Sequence, residues 1–200
     1  MNSFNNIPPR NLPFVERLTD AVSQLVDVFR QRKTSYALIG GLGVALRGHS
    51  RTTVDVDFLL TVPQLELPRL LETFVELGCQ LDVVDSIRNW NEGGMLTFRL
   101  SSGIQVDWLK PVIPTFHKII ERAKEERFAG HVVRVADAES LLFLKLIAFR
   151  LQDQSDIQAI LAANVGKLGL DWVRQEALSA GISPQRLSAF EGMVREFYES

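Results

Sequence analysis

The chain has 200 residues, a formal net charge of −2, 46% hydrophobic residues and 23% charged residues. That length can bury a core without covalent staples, and the slightly acidic balance gives no global basic field to attract nucleic acid. A single cysteine, Cys79, excludes a disulfide framework and a multi-cysteine zinc site, and it suits a reducing compartment.

Residues 1–13 read as a loose arm, because Pro8, Pro9 and Pro13 forbid a continuous helix and no apolar targeting stretch is present. From Phe14 to Arg32 the apolar residues Val15, Leu18, Val22, Leu25, Val26 and Phe29 recur at three and four, the spacing of an amphipathic helix. Tyr36–Ile39 is a short apolar strand. Gly40 and Gly41 break it, and Leu42–Leu46 restarts as a short helix ending near Gly48. Thr53–Leu60 alternates, with Val54, Val56 and Phe58 on one face and Thr53, Asp55 and Asp57 on the other. A helix is expected over Leu65–Leu77, stopped by Gly78, and a strand over Gln80–Val84. Met95–Leu100 and Ile104–Leu109 form a hairpin about Ser101-Ser102-Gly103. A helix over Phe116–Arg127 and a strand over His131–Val135 follow, and from Asp137 the pattern is helix after helix.

The fold class expected from this order is α/β (α+β), a mixed sheet flanked by helices. The expected divisions are an arm over 1–13, a core over 14–136 and a helical C-terminal region over 137–200 packed on that core. No apolar run approaches the roughly 20 residues that span a bilayer, so the chain reads as cytoplasmic, without a membrane partner.

Strand, Gly-Gly, helix lets backbone approach a ligand closely and offers free N–H groups to phosphate. It is neither a P-loop nor a dinucleotide fingerprint, and a plain strand-to-helix turn accounts for it as well. Asp55 and Asp57 lie two apart in a strand, which puts both carboxylates on one face roughly 7 Å apart. Such a pair repels unless a cation sits between, so it makes a claw for a hard divalent ion, or else the solvated side of an edge strand. Asp107, inside the apolar strand Ile104–Leu109, adds a third carboxylate if the two strands are neighbours; Asp82 and Asp85 compete for that role. Three carboxylates around two metals suit nucleotidyl transfer.

The stretch Ile39–Asp57, with its Gly-Gly turn, short helix and Arg51-Thr52-Thr53-Val54-Asp55-Val56-Asp57, resembles the nucleotidyltransferase superfamily. Within it the chain is similar to the AbiEii-type toxin and minimal nucleotidyltransferase branch. A second match is Leu141–Ile157, a helical motif with Lys145, Arg150, Asp153 and Asp156. The resemblance implies a polymerase-β-like sheet, with two Mg²⁺ ions, or Mn²⁺, on Asp55, Asp57 and Asp107. It implies a nucleoside triphosphate held by Gly40, Gly41, Leu42, Arg51, Thr53, Lys145, Asp153 and Asp156, with Asp55, Asp57, Asp107 and Lys145 catalytic. Leu42 stands where the superfamily has a serine that binds triphosphate. The hydroxyl acceptor would be RNA, protein or a small molecule, and the resemblance suggests a toxin with an antitoxin partner. A degenerate, non-catalytic member that binds nucleotide or a partner protein is the alternative.

Read on its own, Lys145 borders the apolar stripe of Leu141, Leu142, Leu144 and Ala148, where it snorkels or meets phosphate. Ser155 and Gln158 fit a capping box, which makes Asp153 and Asp156 markers of a helix junction on one reading. His49 lies near the glycine turn. Lys110, Lys118, Arg122, Lys124, Arg127 and Arg134 form a local basic run that is either a landing patch or a solvated helix face.

Overall fold

The computed structural model describes residues 13–48 and 53–198. Arg51 and His49 lie outside the described residues. Helix α1 (Phe14–Gln31) leads into β1 (Ser35–Leu38), α2 (Gly40–Leu46) and β2 (Asp55–Thr61). Then come α3 (Leu67–Glu76), α4 (Val83–Glu92) and the hairpin β3 (Met95–Arg99) and β4 (Gln105–Leu109). Helix α5 (Pro114–Arg122) precedes a second hairpin, β5 (Lys124–Phe128) and β6 (His131–Val135). The chain finishes with α6 (Ala138–Ala148), α7 (Leu151–Ala163), α8 (Leu170–Ser179) and α9 (Pro184–Tyr198).

The strands form one mixed sheet in the order β3-β4-β2-β1-β6-β5. β2 runs parallel to β4, with Asp55 opposite Gln105 and Asp57 opposite Asp107, while β3 runs antiparallel to β4 with Thr97 opposite Asp107. Because side chains alternate, each strand feeds two cores. Val56, Phe58, Leu60, Val106 and Trp108 face α1, α3 and α4, where Phe29, Phe58, Phe74, Phe98 and Trp108 interlock. Ala37, Ile39, Leu59 and Leu109 face the other way, against α5 to α9. Asp55, Asp57 and Asp107 share that second parity, so the acids and the C-terminal helices occupy one face of the sheet.

Two sequence expectations are corrected. Gln80–Val84 is not a strand: Gln80 makes only an isolated bridge to Arg99, and Asp82 caps α4 by accepting from the Asp85 N–H at 2.8 Å. A local cap outweighs the β-branched Val83-Val84 pair. The helix expected over Phe116–Arg127 stops at Arg122, because Ala123 turns to extended backbone and the charged Lys124–Phe128 becomes an edge strand on β6.

Candidate functional site

The acid row follows from register. Parallel pairing of β2 with β4 sets Asp57 beside Asp107, and Asp55 lies one pleat earlier on the same face. Carboxylate oxygens of all three, each half-buried, lie within 4.8 Å of one another. Asp82 and Asp85 do not join them: the first caps α4 and the second pairs with Arg88 at 3.1 Å.

Each acid is held by a neighbour. Thr53 Oγ1 donates to Asp55 Oδ1 at 2.8 Å, Thr97 Oγ1 to Asp107 Oδ1 at 2.6 Å and Gln105 Nε2 to Asp107 Oδ2 at 3.2 Å. Thr97 escaped the sequence analysis, although it and Asp107 are equally far from Ser102 in the hairpin, which fixes them as partners. The Gly41 N–H donates to the Asp57 carboxylate. Burial, with Asp55 and then Asp107 adding repulsion, raises the Asp57 carboxyl to about 7 against the pull of Lys145 and that N–H. A row of hard oxygen donors that resists full ionisation suits a hard divalent cation.

The Gly-Gly turn belongs to the same site. Gly40 adopts φ +63° and begins α2, and Ile39 N–H donates to Asp57 O at 2.9 Å. Leu42, by contrast, is 5% exposed and packs among the residues between sheet and α1. Its side chain therefore offers nothing to a ligand, and only its backbone remains available.

Lys145 is not a solvated lysine. It is buried, with Nζ 3.1 Å from Asp153 Oδ1 and 2.7 Å from Asp156 Oδ2, both fully buried. Phe149, at φ 52°, ends α6 in the left-handed region and turns α7 back on α6, which brings the acids to the lysine. Asp153 also accepts from Arg150 N–H at 3.0 Å and Arg150 Nε at 2.7 Å. Asp153 thus caps α7 while holding Lys145. The capping box expected at Ser155 is absent, since Ser155 lies inside α7 and the helix starts four residues earlier.

Three of the six residues of the basic run are committed to structure. Lys118 pairs with Glu176 at 2.6 Å, Arg122 with Asp137 at 2.6 Å while stacking on Trp172, and Arg134 donates to the carbonyls of Ile120 and Ala123. No helix among the described residues is long and apolar enough to cross a membrane.

The mixed sheet with its flanking helices has the fold of solved nucleotidyltransferase structures. The chain is similar to an antigenic nucleotidyltransferase-like protein from Paracoccidioides brasiliensis, at 17% identity and TM-score 0.51 over 92% of this chain and 98% of that one. It is similar to the antibiotic-resistance factor ANT(2'')-Ia, at 14% identity and TM-score 0.56 over 88% and 96%. It is also similar to the lincosamide antibiotic adenylyltransferase LnuA in its lincomycin-bound structure, at 15% identity and TM-score 0.51 over 72% and 96%. No protein-family model matches the sequence, and the search of curated proteins finds no match.

Proposed function

We propose that the protein is a metal-dependent nucleotidyltransferase that moves a nucleoside monophosphate from a triphosphate to a hydroxyl. The observation that carries this reading is the convergence of Asp55, Asp57 and Asp107 on one open face beside the Gly40-Gly41 turn. Asp55, Asp57 and Asp107 would hold two divalent cations, Mg²⁺ or Mn²⁺. Such ions supply charge neutralisation at the triphosphate and lower the pKa of the attacking hydroxyl. The resemblance assigns the triphosphate to the Gly40-Gly41-Leu42 turn, whose Gly41 N–H also serves Asp57, to Lys145 and Thr53, and to Arg51, which lies outside the described residues. Asp153 and Asp156 act at one remove, fixing Lys145. Residues 14–136 then form the catalytic core, and 137–200 supply the lysine.

The AbiEii-type branch, a toxin role with an antitoxin partner and a cytoplasmic setting are supported by the sequence motifs Ile39–Asp57 and Leu141–Ile157 and by the lone Cys79. The similar folds include enzymes that act on antibiotics, which keeps a small-molecule acceptor beside RNA and protein. One observation favours a second reading, a non-catalytic nucleotide or partner binder: with Leu42 in the core, the turn has no side-chain hydroxyl for phosphate. Calorimetry with Mg²⁺ and each nucleoside triphosphate, followed by transfer of label from the α-phosphate onto a cell lysate, separates them. Mg²⁺-dependent binding with a labelled product supports the enzyme. Binding without any product supports a nucleotide binder, and no nucleotide binding removes the enzyme and leaves the partner binder.

A further inference from the structure

Beyond the acid row, a cavity of about 390 Å³ opens between the start of α1 and the β3–β4 turn. Its walls include Phe14, Arg17, Asp55, Arg99, Ile104 and Gln105. It meets the acid row at Asp55. Gly40 lies against Asp57, one pleat further along β2, so the row stands between the glycine turn and this cavity. Two arginines thus line the space on the side away from the proposed triphosphate.

Among the described residues, both arginines have donors to spare. Arg17 Nη1 donates to Ser102 O at 3.3 Å, while its Nε is buried with no partner. Arg99 Nη1 donates to Gly103 O at 3.2 Å and its Nη2 to Gln105 Oε1 at 3.1 Å. These partners are neutral, so neither guanidinium is neutralised by them. Many other arginines of the chain are matched with acids, as in Arg30 with Asp27, Arg88 with Asp85 and Arg174 with Glu191. A buried, unpartnered guanidinium N–H costs free energy until an acceptor arrives, and a planar fork of donors fits phosphate oxygens.

We propose that this cavity is the acceptor subsite and that the acceptor is a hydroxyl compound bearing a phosphate group, which Arg17 and Arg99 hold while its hydroxyl lies at the acid row. The inference rests on the nucleotidyl-transfer reading of that row. In the transfer, the acceptor oxygen bonds to the α-phosphorus and the bond from that phosphorus to the bridging oxygen breaks. Pyrophosphate leaves with the electron pair, and the hydroxyl proton passes to water by way of a site carboxylate. A polyamine antibiotic is the wrong acceptor for this wall, because its ammonium groups would meet two guanidinium ions.

The test uses the full chain with Mg²⁺ and titrates four probes by calorimetry, with and without a non-transferable αβ-methylene triphosphate. The probes are glycerol 3-phosphate, a dinucleoside phosphate with a free 3′ hydroxyl, glycerol and tobramycin. Binding of a phosphate probe, with glycerol and tobramycin silent, is expected. Arg99→Gln and Arg17→Gln should each weaken that probe at least about ten-fold and leave the affinity for the triphosphate analogue unchanged. Arg99 is exposed, so Arg99→Gln remains informative if Arg17→Gln fails to fold. The monoester and diester arms tell a small phosphorylated compound from a polynucleotide end. Silence of both phosphate probes, tighter binding of tobramycin, or phosphate binding indifferent to Arg99→Gln overturns the proposal. Failure of the analogue to bind removes the nucleotidyl-transfer reading instead, while the titrations without analogue still decide the cavity.

Discussion

Gly40 and Asp57 share one space: a Cβ on Gly40 would lie 1.8 Å from Asp57 Oδ2. The glycine is therefore fixed by the carboxylate it faces as well as by its φ of +63°. The Gly-Gly turn shapes the acid row before it meets any ligand.

Gly40→Ala should accordingly displace Asp57 and cost about 1–3 kcal/mol, from left-handed backbone strain together with the overlap. Chemical denaturation and titration with Mn²⁺ would show both effects. An alanine variant with wild-type stability and wild-type metal affinity would contradict the shared-space account.

Asp57 has a folded-state pKa raised to about 7, so its contribution to stability is present at low pH and is lost as pH rises through 7. In chelator, the wild type should lose thermal stability as pH rises from about 4 to about 7 and level off above that, and Asp57→Asn should flatten that loss. At pH 8.5 the variant should melt higher by about 2–6 °C, while transfer activity disappears. Divalent cation should restore the wild type and leave the variant little changed. Scanning calorimetry across pH reads all three. A variant that is less stable than wild type at pH 8.5 would mark Asp57 as a structural residue.

Lys145→Met leaves Asp156 and Asp153 buried without their shared cation, which should cost about 3–5 kcal/mol. Arg150→Ala should cost much less, because the guanidinium is 76% exposed and Lys145 still serves Asp153. Urea melts of the two variants give the comparison, and equal losses would refute the buried-cation account.

Leu42→Ser would appear from sequence alone to restore a phosphate-binding hydroxyl. The structure reverses that expectation, since the side chain is buried in the core. The variant should lose about 2–4 kcal/mol of stability and gain no affinity for Mg²⁺-nucleotide. A several-fold tighter complex by calorimetry would show that position 42 reaches the ligand after all.

Thr97→Val removes the 2.6 Å bond that orients Asp107 while keeping the shape of the side chain. Thr97 is a positioning residue, so the loss should fall on kcat with the nucleotide KM little changed. Restored activity in Thr97→Ser would confirm the hydroxyl as the cause.

What the sequence revealed were features carried by strict period. The Asp55/Asp57 face follows from alternation, and α1 from its three-four spacing. What it hid were features set by a single competing local residue. Asp82 caps a helix where Val83 and Val84 read as strand, and Ala123 turns the chain where residues up to Arg127 read as helix. The burial of Lys145 was hidden for a longer-range reason. It depends on Phe149 adopting φ 52°, a conformation a phenylalanine does not advertise, and only that turn carries Asp153 and Asp156 back to the lysine. Arg17 and Arg99 are 82 positions apart, and no local pattern links them to one cavity.

Leu59 and Leu109 stand two residues beyond Asp57 and Asp107 on the same face, under the C-terminal helices. The strands that carry the acid row therefore also carry an apolar floor shared by α5 and the last third of the chain. Cutting after residue 136 would leave α5 on that floor, bare the rest of the apolar face and take Lys145 away in one stroke. A shortened piece would keep its acids yet present apolar surface to other chains.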